Sequence, residues 1–514
     1  MTGNLFSTSI MPHTPKTVNV PPNSHIGIVD IGSNTVRLVV FDSLARLPVP
    51  IFNEGVSCGL GRGLDQTGLL NPEGVEMALR TLGRFISLAQ AMEVESFVLV
   101  ATAAVREASD GVDFTNEITN RFGCPVRVLS GAEEARMGAL GILGGSPKAD
   151  GFFSDLGGGS LDLVSLELGK FGKSDTLPLG YIRVAEGAKH DVKKAKRLIA
   201  AQFEHSSWLK KSSGRDLYAV GGAFRAIARL YIKQTKYPLL VIDNFTIETE
   251  AALDFTKLLG GLSVQTMKKM GGVGLRRLDT LPFAALVLNK LIKMTQPKKL
   301  VFSGYGLREG QFFEMLPDKM KEEDPLISAC EGFALRGGRF SVHGEEIASW
   351  MAPLFAKETA RYHRLCHAAA LLSDIGWTEH RDYRAVHSFI RVLRIPISGL
   401  THRQRVMLAL AVYIRYNGKR KEYEVDQVRG LLGQKDQQRA SVMGQALRFA
   451  HLISGGVPGI LTRSTLKLSK SRLELEVDDS SKALIGDAVK KLFLALATTL
   501  DVSGDIKYLP VRRT

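Results

Sequence analysis

Two stretches of this sequence place an aspartate at the end of an apolar run, a glycine-rich turn after it, and a second apolar run beyond the turn. Asp30 leads into Gly32, Ser33, Asn34 and Thr35, and Asp155 leads into Gly157, Gly158, Gly159 and Ser160. Backbone N–H groups in such a turn, flanked by hydroxyls, form a concave donor array that suits phosphate oxygens. One glycine-rich hairpin alone is ordinarily a tight turn. Two of them, each preceded by an aspartate, support the expectation of two phosphate-gripping bends, with Asp30 and Asp155 able to hold Mg²⁺ through carboxylate oxygens. Hydrolysis at such a site needs a carboxylate that orients water and takes its proton. Glu133 and Glu134 follow Ser130, and neighbours on a helix point about 100° apart, so they do not share one site. Ser130 and Glu133 have capping-box spacing, which assigns the cap to Glu133 and the base to Glu134. Complementing the helix dipole is the plainer role for both. Arg106 follows a buried apolar run and is expected to offer a charge-assisted contact to phosphate, an exposed arginine at a helix start being the ordinary alternative.

The elements that must position these residues read as strand and helix in alternation. Residues 25–41 have the pattern of a hairpin turning at Gly32–Thr35. Apolar positions three and four apart over Pro72–Ala91 predict an amphipathic helix, and Phe97–Val100 a buried strand. Pro125–Leu129 predicts a strand, and Ser130 caps a helix beginning at Ala132. The opening motif then returns at Phe152–Val164, about 125 residues after the first, which suggests duplicated α/β halves facing one another. Two further glycine junctions follow apolar runs, at Gly221-Gly222 and at Ser303–Gly310. Beyond about residue 319 the strand alternation stops and helical spacing takes over. From Thr462 a period-two segment predicts a hairpin, followed by a helix around Ala483–Leu500.

The chain has 514 residues, too long for a single core at roughly 100–200 residues per domain. With 45% hydrophobic residues, global disorder is excluded. No apolar run approaches the roughly 18 residues of a membrane-spanning helix, so no membrane association is expected. Residues 1–25 lack the pattern of a signal peptide and read as a disordered tail. Four cysteines without a CxxC pair argue against a disulfide framework or zinc site and fit a reducing cytoplasm. The net charge of +15 favours polyanions as partners, without a sign of specific nucleic-acid recognition. Residues 1–320 hold 37 basic and 31 acidic side chains, whereas 321–514 hold 30 and 21, so the last part is the more basic.

DIGSNTVRLVVFD at 30–42, ATAAVREA at 101–108, SGAEEARMGALG at 130–141, DLGGGSLDLV at 155–164 and LPLGYIRV at 177–184 together resemble the exopolyphosphatase and guanosine pentaphosphate phosphohydrolase (Ppx/GppA) family of the actin-like superfamily. The resemblance covers about residues 25–315. It implies an α/β fold of two actin-like, ribonuclease H-like lobes, at 26–142 and 143–318. A helical HD-like domain at 319–460 and a small α+β domain at 461–514 are implied to follow. It carries a catalytic glutamate onto Glu134, an essential aspartate onto Asp155 and a phosphate-binding arginine onto Arg106, with Mg²⁺ as cofactor. Two departures stand out: Asp110 replaces a common asparagine, and Ser303 replaces the aspartate that opens the late Asp-Gly-x-Leu-Arg-Glu-Gly motif. In the HD-like region, Leu371–Trp377 has Ser373 where a metal-binding histidine is expected, with His363, His367 and His387 nearby. Without a His-Asp pair, a working metal centre there is not expected.

The leading expectation is an exopolyphosphatase that removes the terminal phosphate of inorganic polyphosphate by glutamate-activated water attack. The near alternative acts on guanosine pentaphosphate, giving the tetraphosphate. From other classes come an actin-like ATP-binding module and a non-catalytic polyanion-binding regulator. A homodimer is compatible with a long polyanion groove.

Overall fold

In the computed structural model, the residues described are 11–12, 24–271, 274, 278–337, 339, 343–418 and 422–510. Most of the expected tail therefore lies outside the described residues, although Met11–Pro12 pair in parallel with Ser96–Phe97. The chain divides into two compact units, one ending at Glu323 and the other beginning at Asp324.

The first unit contains two sheets. In the first, β1 (His25–Ile31) and β2 (Thr35–Phe41) form the expected hairpin, and β3 (Pro50–Ser57) extends it. Helix α1 (Pro72–Ala91) then leads to β4 (Val94–Ala101), which lies parallel to β1. The short helix α2 (Ala103–Glu107) follows, and β5 (Val126–Val128) lies parallel to β4. Helix α3 (Gly131–Gly145) leads into the second sheet, where β6 (Gly151–Leu156), β7 (Leu161–Glu167) and β8 (Lys170–Leu177) form the antiparallel meander. Past helix α4 (Tyr181–Gly187), β9 (Asp216–Val220) lies parallel to β6 and precedes α5 (Gly222–Gln234). Strand β10 (Phe245–Glu248) and helix α6 (Leu281–Thr295) come before β11 (Lys299–Phe302), which is parallel to β9 and antiparallel to β10. Read from the meander edge, the sheets run β3-β2-β1-β4-β5 and β8-β7-β6-β9-β11, with β10 outside the latter. The same strand order and pairing senses in both sheets support a duplicated α/β unit, a relation that two hairpin motifs alone suggest only weakly.

Burial explains why β1 reads as an almost continuous apolar run. Ile26 and Ile28 join Val98, Val100, Met137 and Leu307 on one face, while Val29 and Ile31 join Leu82, Phe85 and Leu99 on the other. Both faces of this sheet are covered by helices, as parallel α/β sheets require. Helix α7 (Leu307–Met315) follows β11 and packs against α3. A Cβ on Gly310 would lie 1.7 Å from the Met137 carbonyl oxygen, and one on Gly141 would lie 2.3 Å from that of Gly306. The close approach of α3 and α7 therefore depends on these glycines.

In the second unit the helices include α8 (His343–Met351), α9 (Ala360–Leu371), α10 (Arg384–Arg394), α11 (His402–Arg415) and α12 (Gln434–Ser454). The expected terminal hairpin is β12 (Ser464–Leu468) with β13 (Arg472–Asp478). Helix α13 (Asp487–Thr499) carries the chain to β14 (Ser503–Leu509), a strand that the apolar pattern does not announce and that lies parallel to β13. Among the described residues no helix is long and apolar enough to cross a membrane, and the four cysteines are unpaired.

Candidate functional site

The two glycine bends are built alike. Gly32 N–H donates to the Thr35 carbonyl at 3.1 Å, and Gly157 N–H donates to the Ser160 carbonyl at 3.0 Å. Their other carbonyls are turned to neighbouring segments. Asn34 O accepts from Cys58 and Gly59, and Ser33 O from Gly61; Gly157 O accepts from Tyr181, Gly158 O from Ile182, and Gly159 O from Gly180. The amides of Ser33, Asn34, Gly158 and Gly159 have no acceptor among the described residues. A bend that keeps two successive N–H groups unengaged at its tip while the carbonyls beside them are engaged has the polarity an anion requires.

The bends also face each other. A Cβ on Gly159 would lie 3.0 Å from Ser33 Oγ, and one on Gly158 would lie 3.3 Å from Ser33 Cβ. Both bends line one cavity of about 160 Å³ together with Asp30, Glu134 and Asp155. Of the residues expected from sequence, Gly32, Ser33, Asn34, Thr35, Gly157, Gly158, Gly159 and Ser160 are thus brought together with the two aspartates and the glutamate.

Arg106 is placed differently. It does not line the cavity; its Nη1 donates to Glu134 Oε2 at 2.9 Å and to the Leu129 carbonyl at 2.8 Å. In this structure its guanidinium fixes a carboxylate, in contrast to the expected phosphate contact.

The two adjacent glutamates diverge. Glu133 closes a capping box with Ser130 and accepts from Arg127 Nη2 at 2.9 Å. The Ser130 N–H, with Arg127 and the Ser130 hydroxyl, holds its carboxyl down to about 2. Glu134 faces the cavity, where burial pushes its carboxyl up to about 7 against the opposing pull of Arg106, with Asp155 and Asp30 adding to the rise. Neighbouring carboxyls driven apart by environment mark division of labour, the ionised one structural and the poised one suited to moving a proton near neutrality.

Sequence reasoning missed four cavity-lining residues: Arg37, Asp162, Arg225 and Arg308. Register relates two of them, since Asp30 pairs across its hairpin with Arg37 and Asp155 pairs across its own with Asp162. The spacing of seven residues in both hairpins was the available signal. Asp162 is buried and accepts from Thr176 Oγ1 at 2.7 Å, and burial followed by the Glu134 charge raises its carboxyl well above the usual range. Arg225 enters from the first turn of α5, donates to the Gly304 carbonyl at 2.8 Å, and is lowered to about 10 by burial and then by Arg308. Arg308 enters from α7, with Nε 3.7 Å from Asp30 Oδ2. Burial raises Asp30, opposed by Arg308 and Arg37, and pushes Asp155 up to about 6, opposed by Arg225. The cavity wall thus carries four carboxylates and three guanidiniums beside two sets of backbone donors.

The carboxylate oxygens suit a hard cation such as Mg²⁺. Among the described residues no three His, Cys, Asp or Glu side chains come together closely enough to hold a metal ion. A cation here would therefore need substrate oxygens and water in addition to Asp30 and Asp155, the usual arrangement for Mg²⁺ on phosphates.

In the second unit, Ser373 and Asp374 lie buried among arginines. Asp374 accepts from Arg415 Nη2 at 2.8 Å and Arg339 Nε at 3.2 Å, and Ser373 Oγ is 2.8 Å from His451 Nε2. His367 and His387 instead contact Glu345 and Glu379. The histidine nearest this aspartate is His451, which sequence reasoning did not single out.

Comparison with known proteins places these features in a family context. A model of the Ppx/GppA phosphatase family matches residues 39–319, and one described as exopolyphosphatase, C-terminal, matches residues 326–499. Retrograde regulation protein 2 of Saccharomyces cerevisiae is 25% identical over 443 residues, covering 77% of this chain and 74% of that protein. The crystal structure of an exopolyphosphatase from Cytophaga hutchinsonii superposes with a TM-score of 0.53 at 21% identity, over 57% of this chain and 97% of that one. That structural likeness speaks for the fold, an actin-like pair of α/β lobes.

Proposed function

Since the chain belongs to the Ppx/GppA phosphatase family, we propose that it hydrolyses phosphoanhydrides and that inorganic polyphosphate, entering by its end, is the substrate. The observation that carries this reading is the opposition of the two bends across one cavity with Glu134 on its wall. In this reading the amides of Ser33, Asn34, Gly158 and Gly159 hold the terminal phosphates. Arg37, Arg225 and Arg308 neutralise charge that spreads over the phosphoryl oxygens during transfer. Glu134, ionised, accepts a proton from water as its oxygen bonds to the terminal phosphorus. The bridging P–O bond breaks, and its electron pair leaves with the shortened chain. Arg106, in place of binding substrate, keeps Glu134 oriented and favours its ionised form. Asp30 and Asp155 would hold Mg²⁺ together with phosphate oxygens; when bound, the ion supplies charge neutralisation and alignment.

Guanosine pentaphosphate presents the same terminal anhydride and is the second candidate substrate. Similarity to a protein named for retrograde regulation supports a third reading, a regulator that binds polyanions without turning them over. Comparison of kcat/KM for long-chain polyphosphate and for guanosine pentaphosphate separates the three. We expect polyphosphate to be preferred; preference for the nucleotide assigns the second reading, and binding without phosphate release assigns the third. The unpaired cysteines fit a reducing compartment, which is part of the same proposal.

A further inference from the structure

The second unit contains a cavity of about 680 Å³ bounded by α11, α12 and the end of α13. Among the described residues its lining includes Arg429 and Arg448 and no aspartate or glutamate. Along α12, Gln437, Ser441, Gln445 and Arg448 follow at spacings of four, four and three, so one helical stripe faces the space. Gln437 donates to the Leu432 carbonyl at 3.1 Å. The side chains of Ser441, Gln445 and Arg448, all half-buried, have no hydrogen-bond or ion-pair partner among the described residues. Helix α11, packed beside α12, adds Leu410 and Ile414 to the lining. Arg429 stands 3.5 Å from Asp426 on its own helix.

A half-buried guanidinium without an opposing carboxylate costs folding free energy that a bound anion would return. Burial alone lowers the pKa of the Arg448 guanidinium from its ordinary value, and no charge among the described residues offsets it. The same stripe supplies an amide and a hydroxyl, donors and acceptors for the polar body of a ligand, while the aliphatic wall accepts a flat or apolar part. We propose that this cavity binds a small organic phosphate, its phosphate at Arg448 and Arg429 and its body against Ser441 and Gln445. None of these residues belongs to the cavity of the first unit, and the inference does not depend on the activity proposed for it.

Isothermal titration of the full-length protein with adenosine 5′-monophosphate and, separately, with ribose 5-phosphate tests the proposal. Neither probe carries an anhydride to be hydrolysed, and adenosine serves as the uncharged control. Saturable binding of at least one of the phosphates is expected, weakened at least tenfold by Arg448→Met and by Gln445→Leu and unchanged by Arg308→Gln in the first-unit cavity. Because the Arg448 side chain has no partner among the described residues, Arg448→Met should melt at or above the wild-type temperature. If it fails to fold, Gln445→Leu carries the test. Absence of binding at millimolar concentration, equal binding of adenosine, or loss on Arg308→Gln with retention in the α12 variants would overturn it.

Discussion

At the scale of residues, Glu134 and Arg106 form the unit on which the proposed chemistry depends. Both were legible in the sequence as candidates, because a capping box at Ser130 fixes which of two adjacent glutamates is spent on the helix end. The partnership between them was not, since residues 28 apart meet only when α2 and the start of α3 pack at the ends of β4 and β5. Arg106 favours the charged form of Glu134, so its removal leaves burial to raise that carboxyl further. The base must be ionised to act, hence Arg106→Met should move the acid limb of the kcat–pH profile to higher pH, and Arg106→Lys should restore part of the shift. A rise in KM with an unmoved limb would return Arg106 to the phosphate-binding role that its sequence position suggests. Arg37, Asp162, Arg225 and Arg308 escaped sequence reasoning for a related reason: each has an ordinary explanation in its own segment, and convergence from strands and helices up to 271 positions apart is a property of packing.

At the scale of elements, the site is a product of two hairpins and of the distance between them. The hairpins were legible because an aspartate at a strand end, glycines in the turn and alternation beyond it are all local signals. Their opposition is close, with the Ser33 side chain of one bend lying against Gly158 and Gly159 of the other. An added Cβ on Gly159 would lie 3.0 Å from Ser33 Oγ, so Gly159→Ala should shift the bends by a few tenths of an ångström and lower kcat/KM by up to about tenfold, less than an ångström-sized misplacement costs. Circular dichroism should remain that of the wild type, and unaltered kinetics would show that the spacing of the bends is not critical. Strand β14 illustrates the opposite case. Its sequence, SGDIKYL, has weak alternation and no fully buried residue, and it is made a strand by the edge of β13 lying beside it.

At the scale of the whole molecule, the two units have different electrostatic designs. The first gathers carboxylates and guanidiniums around a cavity. In the second, the Leu371–Trp377 segment places Asp374 between Arg415 and Arg339, where cationic side chains surround the position that an HD signature would give to a metal ligand. Composition indicated a basic second unit but not this arrangement, because the arginines lie 35 and 41 residues from Asp374. Removing one partner of a buried pair leaves the other charge uncompensated, so Asp374→Ala should destabilise the second unit by roughly 3–5 kcal/mol. Differential scanning calorimetry of the full chain should show one transition lowered; two unchanged transitions would contradict the assignment.

The most direct measurement is the comparison of wild type with Glu134→Gln, which keeps shape and hydrogen bonding while removing the basic oxygen. Phosphate release from long-chain polyphosphate should fall by about 10²- to 10⁴-fold, the range typical for loss of a general base, while polyphosphate affinity stays within a few-fold. Turnover near the wild-type rate would contradict the claim that this carboxylate, set between two facing bends, activates the attacking water.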